Sequence, residues 1–164
     1  MNKNTFYFIV LITLNLVLSV SAQSNNTQNT QNKCGENCQW SIEEKTLKFT
    51  GNGKMKDFYS DNEIPWKSQL QQITKITITG ISSICQNAFQ NMKELKTIEF
   101  GDVTEIGIGA FYNTGIKNLN IPKPVKTIKK NAFTQNLQLK TVTFAEDSQL
   151  ETIFQKLLKS HYRI

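Results

Sequence analysis

Three cysteines, one histidine and a few paired acids are where chemistry would be sought first in this chain of 164 residues. Cys34 and Cys38 lie four positions apart, so they could form a local disulfide or supply two thiolates to a metal. A zinc site needs more ligands. No second close cysteine pair follows, and His161 is far along the chain. The disulfide is the reading we favour. Cys85 is then left as a free thiol buried in the core, and the odd count fits an oxidising compartment awkwardly. His161 sits near the terminus, so no Ser-His-Asp or Cys-His arrangement is expected in the core. Gly107-Ile108-Gly109 comes nearest to a phosphate-cradling loop, but it lacks the third glycine and the charged helix start. Glu43-Glu44 and Glu146-Asp147 fall in expected turns, where carboxylates are usually solvated rather than catalytic. Asp61 and Glu63 lack the dense acidic loop of a calcium site. No catalytic residue, cofactor or metal is therefore assigned, and the chain is expected not to be an enzyme.

The elements that would position these groups begin after a leader. Residues 1–22 combine a basic start, an apolar run from Phe6 to Val20 and a small Ser21-Ala22 end. That is the pattern of a removable secretory signal. The apolar run falls short of the ~20 residues a spanning helix needs, so an uncleaved anchor is the less favoured reading. Residues 23–33 are almost wholly Gln, Ser, Asn and Thr. Such a tract cannot bury enough apolar surface to offset chain entropy and reads as a disordered linker. Asn25-Asn26-Thr27 within it is a glycosylation sequon at Asn25. With no second apolar segment, the exported chain is expected to hold no stable membrane insertion.

The net charge is +6, and losing Lys3 with the leader leaves +5. Every basic residue but Arg163 is lysine. Phosphate and nucleic-acid sites favour the planar fork of arginine, so nucleic acid is not an expected partner.

One feature organises the rest. Ala-Phe recurs at Ala88-Phe89, Ala110-Phe111 and Ala132-Phe133, a spacing of 22 both times. Ile84, Ile106 and Ile128 stand four residues before each alanine, and Ile81, Val103 and Val125 three residues earlier again. A second set of columns reads apolar-x-x-apolar-x-apolar. Its members are Ile73-Ile76-Ile78, Leu95-Ile98-Phe100, Ile116-Leu119-Ile121 and Leu139-Val142-Phe144. This is a leucine-rich-repeat signature in which each turn contributes a short strand. Alternation puts Ile98 and Phe100 inward and Thr97 and Glu99 outward, and only stacked turns can bury the inner face.

The commonest leucine-rich repeat places Asn or Cys shortly after the strand. Here Ile81 and Val103 stand three residues after the strand's last apolar residue, and Val125 four after it. An Ile-x-x-x-Ala-Phe segment follows. This variant resembles the BspA-like leucine-rich-repeat family, most closely at Thr104–Phe111 and Thr127–Phe133, and the resemblance covers roughly residues 34–153. Cys34 to Met55 is similar to that family's opening segment, and Pro65-Trp66 also matches, packing an aromatic plug under the first turn. Read physically, Trp40 and Ile42 alternate, as do Leu47 and Phe49, about a Glu43-Glu44-Lys45 turn. That makes a hairpin able to cover the first edge of a solenoid.

The expected fold is a short, right-handed, β-rich leucine-rich-repeat solenoid of about four turns. A hairpin cap spans 34–68, repeats span 69–149 and a short helical cap spans 150–164. In the last segment Ile153, Phe154, Leu157, Leu158 and Tyr162 share one helical face. Lys156, Lys159 and Arg163 leave open a membrane-surface or partner helix, and truncation of a longer array is a third reading.

Outward strand residues would stack into two columns: Lys75, Thr97, Asn118, Thr141 and Thr77, Glu99, Asn120, Thr143. Lys96, Lys117 and Lys140 run beside them. The face is polar and lacks the Trp, Tyr and Arg that anchor interfaces, so an ordinary solvated sheet is the competing reading. Four strands ~4.8 Å apart present on the order of 300 Å². A standard interface buries roughly 800 Å² per partner, so tight binding would need loops, the convex side or many copies together. The family resemblance implies a secreted or cell-surface protein that adheres to host or matrix proteins or to other cells. The alternative is a structural scaffold that oligomerises through its solenoid ends.

Overall fold

A computed structural model of the chain describes residues 32–146, 148 and 150. The expected signal peptide, sequon, most of the linker, His161 and the helical cap beyond Leu150 lie outside them.

The described chain opens on three antiparallel strands: β1 (Lys33–Gly35), β2 (Cys38–Glu43) and β3 (Thr46–Lys54). Alternation sets their faces. Leu47 and Phe49 are fully buried, while Trp40 and Ile42 pack half-buried against the same core. Glu43 pairs with Thr46, leaving a two-residue loop of Glu44 and Lys45. Glu44 takes the left-handed conformation, at φ 54°. A side chain there costs about 1 kcal/mol, which glycine avoids. Glu44→Gly is expected to raise stability by about 0.5 kcal/mol, read as a higher urea midpoint at unchanged slope.

The hairpin is continuous with the sheet that follows it. Its last strand pairs in parallel with β4 (Lys75–Ile84), from Thr46 opposite Lys75 to Thr50 opposite Thr79. β3 is thus itself a rung of the repeat. Beyond the hairpin each turn carries two short strand segments with a corner between them. β4 bends at Gly80 and supplies both segments of its turn. Later turns supply β5 (Thr97–Glu99) with β6 (Glu105–Ile106), then β7 (Asn118–Ile121) with β8 (Thr127–Ile128), and finally β9 (Thr141–Phe144). The corner glycines are required by close approach. A Cβ on Gly80 would lie 2.0 Å from Gly51 O, and one on Gly101 2.1 Å from Ile78 O, each at positive φ.

The Ala-Phe segments form the rest of each turn. N–H groups of Asn87, Phe89 and Asn91 donate to the carbonyls of Ile108, Ala110 and Tyr112 at 2.8–2.9 Å. Gly109, Phe111 and Asn113 repeat this onto Lys130, Ala132 and Thr134 at 2.8–3.1 Å. The pattern needs left-handed residues around each Ala-Phe pair. Asn87, Gly109 and Asn131 fill one such column, and Asn91, Asn113 and Gln135 the other, all at φ between 53° and 66°. Asn and Gly adopt that conformation at least cost.

Inside, Phe89, Phe111 and Phe133 stack at centroid distances of 5.0 and 5.2 Å. Trp66 closes the first end of this stack as the expected aromatic plug. It is fully buried, meets the rings of Trp40, Phe49, Phe58 and Phe89, and donates its indole N–H to Ala88 O at 2.9 Å. The fold is strand-rich and of the leucine-rich-repeat type.

Candidate functional site

Strand register assembles the outward face as alternation requires. Lys75 stands opposite Thr97 and Thr77 opposite Glu99 on β4 and β5. Asn118 stands opposite Thr141 and Asn120 opposite Thr143 on β7 and β9. β3 extends the columns with Thr46 and Lys48. Lys75 Nζ holds Glu99 at 2.7 Å, and Thr143 Oγ1 donates to Asn120 at 3.3 Å. Lys96, Lys117 and Lys140 occupy the position just before the strands. Lys140 N–H and Thr141 N–H both donate to Lys117 O, as Lys96 and Thr97 do to Thr74 O. All three lysines are exposed.

The face is not one continuous sheet. β5 is paired to β4, and β7 is paired to β9, but β5 and β7 adjoin without a ladder. Repeat length gives the cause. The spacing from Ile73 to Leu95 is 22, from Leu95 to Ile116 it is 21, and from Ile116 to Leu139 it is 23. One residue is missing before Ile116, and one is regained at the Pro122-Lys123-Pro124 corner. The shortened loop draws in against the previous turn. Gly115 N–H reaches Met92 O at 3.0 Å, and a Cβ on Gly115 would lie 1.9 Å from Lys93 O. Asn136 completes the repair from the next turn. Its Oδ1 accepts from Thr114 N (2.5 Å) and Oγ1 (2.9 Å), and its Nδ2 donates to Phe111 O at 3.0 Å. Asn136 is fully buried.

Where the ladder stops, a cleft of about 400 Å³ opens on the flank of the face. Lys93, Lys96 and Lys117 line it with Gly115, Asn118 and Gln138, and Glu94 is its one acid. Lys93 Nζ donates to Asn113 Oδ1, and Asn113 in turn donates to Asn91 at 2.7 Å. Neither the cleft nor the role of Asn136 was foreseen from sequence. The uneven repeat spacing was the signal that could have located both.

A second group gathers on the β4–β6–β8 ladder. Glu105 accepts from Lys129 at 2.9 Å and from Ser83 Oγ at 3.1 Å, beside a cleft of about 240 Å³ that Lys54 and Asp57 also line. The Lys129 hydrogen bond, helped by Ser83 and the nearby Lys54 charge, holds the Glu105 carboxyl below its ordinary value against an opposing desolvation. A carboxylate with a lowered folded pKa contributes stability above the ordinary pKa and loses it as pH falls. Wild type is thus expected to lose stability more steeply than Glu105→Gln as pH drops below about 4.5, measured by thermal melts at stepped pH.

The cysteines separate as expected. The sulfurs of Cys34 and Cys38 are at bonding distance, with Cα atoms 5.0 Å apart, and Cys85 is a buried free thiol. Burial, and secondarily the Asp57 charge, pushes the Cys85 thiol up to about 12, so it stays protonated and unreactive near neutral pH. Glu63, set aside above with Asp61 as a calcium ligand, accepts from Tyr59 N–H and Ser60 Oγ at 3.4 Å. Among the described residues no three His, Cys, Asp or Glu side chains converge to hold a metal, and no helix is long and apolar enough to cross a membrane.

The chain matches no curated protein. It is similar to the crystal structure of a leucine-rich repeat protein from Eubacterium ventriosum, at 17% identity and a TM-score of 0.43. That likeness covers 70% of this chain and 44% of the other. A leucine rich cell surface protein from Faecalibacterium prausnitzii is similar at 16% identity and a TM-score of 0.36, over 72% of this chain and 43% of that one. The chain therefore spans less than half the length of either. Residues 67–164 match the BspA type leucine rich repeat region, in six copies. With most of its length in that repeat, the chain belongs to the BspA-type leucine-rich-repeat family.

Proposed function

We propose that this protein is a non-enzymatic recognition protein, exported and acting outside the cell or at its surface, where it binds protein or cell-surface ligands. The observation that carries this reading is the outward face. Lys75 and Thr77 stand in register with Thr97 and Glu99, and Asn118 and Asn120 with Thr141 and Thr143, on strands whose other faces are committed to the core. Family membership and the leader-like residues 1–22 support action after export.

The face sets the mode of binding. Counting β3, five rungs ~4.8 Å apart span only about 19 Å, well short of a standard interface. Single copies are expected to bind weakly and clustered copies strongly, because linkage makes each later contact intramolecular. The test compares the free protein with the protein displayed densely on beads, each exposed to panels of cells and extracellular-matrix proteins. Retention of beads with fast-dissociating monomer is the expected result. A bead preparation that binds nothing across such a panel would overturn the reading.

A further inference from the structure

The cleft at the interrupted ladder has a chemistry that the rest of the face lacks. Lys93, Lys96 and Lys117 contribute three cations against the single carboxylate of Glu94. The other nearby acid, Glu99, is already held by Lys75 at 2.7 Å. Lys96 and Lys117 have no ion-pair partner among the described residues, and Lys140 continues their column one rung further on. Consecutive rungs put neighbouring lysines about 5 Å apart where the turns are paired. Such a row of cations is complementary to an anionic partner that runs along the stack.

We propose that this cleft binds a linear polyanionic polysaccharide, its sulfate or carboxylate groups lying along Lys93, Lys96, Lys117 and Lys140. The proposal rests on the recognition reading of the same face and names its ligand class. Three features favour a polysaccharide over other polyanions. Lysine is a compact point charge on a flexible stem, suited to anions at variable spacing rather than to bidentate forks. No aromatic ring lines the cleft, so the stacking platform that single-stranded nucleic acids use is missing. No apolar side chain lines it either, so a peptide finds no buried anchor. What the cleft offers besides charge is hydrogen bonding. Asn118 and Gln138 project into it, and the facing edges of β5 and β7 lie outside any ladder. Sugar hydroxyls both donate and accept, so they can use the amides and the free backbone groups alike.

The frame slip makes the cleft. With a full-length loop before Ile116, the turns would pair as Lys75–Thr77 pairs with Thr97–Glu99, and the space would close. The missing residue and the glycine at 115 hold it open.

The test titrates the purified full-length protein with heparin, polygalacturonate and poly-glutamate by calorimetry at several salt concentrations. Heparin is expected to bind, with log Kd rising with log salt at a slope of about 2–3, as three to four displaced counterions would give. Polygalacturonate binding as well would assign the anion as any sulfate or carboxylate, and heparin binding alone would assign it as sulfate; both support the proposal. The double variant Lys96→Glu with Lys117→Glu should weaken heparin at least tenfold. The double variant Lys126→Glu with Lys130→Glu carries the same change in net charge on the other ladder and should stay within twofold. Circular dichroism confirms that both fold. Equal losses in the two variants would mean diffuse charge attraction and overturn the cleft. Poly-glutamate binding as tightly as heparin would overturn the polysaccharide assignment. Beads that bind cells while the protein ignores both polysaccharides would overturn this inference and leave the recognition reading standing. Loss of both activities would remove the two together.

Discussion

Phe111→Ala is expected to cost about 3–5 kcal/mol of stability, the range for deleting a fully buried phenyl ring. Phe111 is the middle ring of the repeat stack. Phe89 lies 5.0 Å from it on one side, Phe133 5.2 Å on the other, and Phe100 meets it edge-on at 5.7 Å. None of its surface is exposed. Small domains carry about 5–15 kcal/mol in all, so the loss removes a large share. Because each turn of a solenoid touches only its neighbours, the weakening should not spread evenly. Hydrogen exchange is expected to rise first in the Phe89–Tyr112 and Thr134–Leu139 segments and last in the hairpin. Tyr59→Ala supplies the contrast. That ring is 85% exposed, and its removal should stay within about 0.5 kcal/mol. Equal effects of the two substitutions, by urea denaturation, would contradict the packing described.

Asn136→Leu is expected to cost about 3 kcal/mol or more, although it makes a fully buried position more hydrophobic at nearly constant volume. Loss of the amide would leave Thr114 N–H, Thr114 Oγ1 and Phe111 O without the partners they now have at 2.5, 2.9 and 3.0 Å. Each buried polar group stripped of its partner costs about 1–3 kcal/mol. The contrast lies in the same column. Met92 stands two repeats before Asn136, equally buried but apolar. Its thioether, unlike the Asn136 amide, supplies no hydrogen bond that a leucine would remove. Met92→Leu should therefore stay below about 1.5 kcal/mol, while Asn136→Leu should not, as urea denaturation of the two variants would show.

Much of the fold was legible because the hydrophobic effect writes itself as spacing. Ile84, Ile106 and Ile128 recur at one constant interval and pair rung to rung on the second ladder. Trp66 could be expected as a plug because Pro65-Trp66 matches the family's pattern. The left-handed columns of Asn87, Gly109 and Asn131 were just as visible in the sequence. Their meaning was not, since Asn also marks ordinary solvated loops. The parallel role of β3 was hidden for a different reason. A hairpin is read from local alternation, and which neighbour takes its free edge is a long-range choice. The outward columns followed from alternation alone. The cleft did not, because a residue lost from one loop and regained at the next corner leaves the Ala-Phe spacing at 22. Only the three-dimensional register shows which backbone groups part company.

Recognition, as proposed, takes place on the face carrying Lys96, Lys117 and Lys140. Amine acylation of the protein while it is bound to a cell or matrix surface, followed by mass-spectrometric mapping of modified lysines, tests this most directly. Lys96, Lys117 and Lys140 should be protected on binding, and Lys126 and Lys130 on the other ladder should react as in the free protein. Protection centred on Lys126 and Lys130, or spread evenly over all lysines, would contradict it.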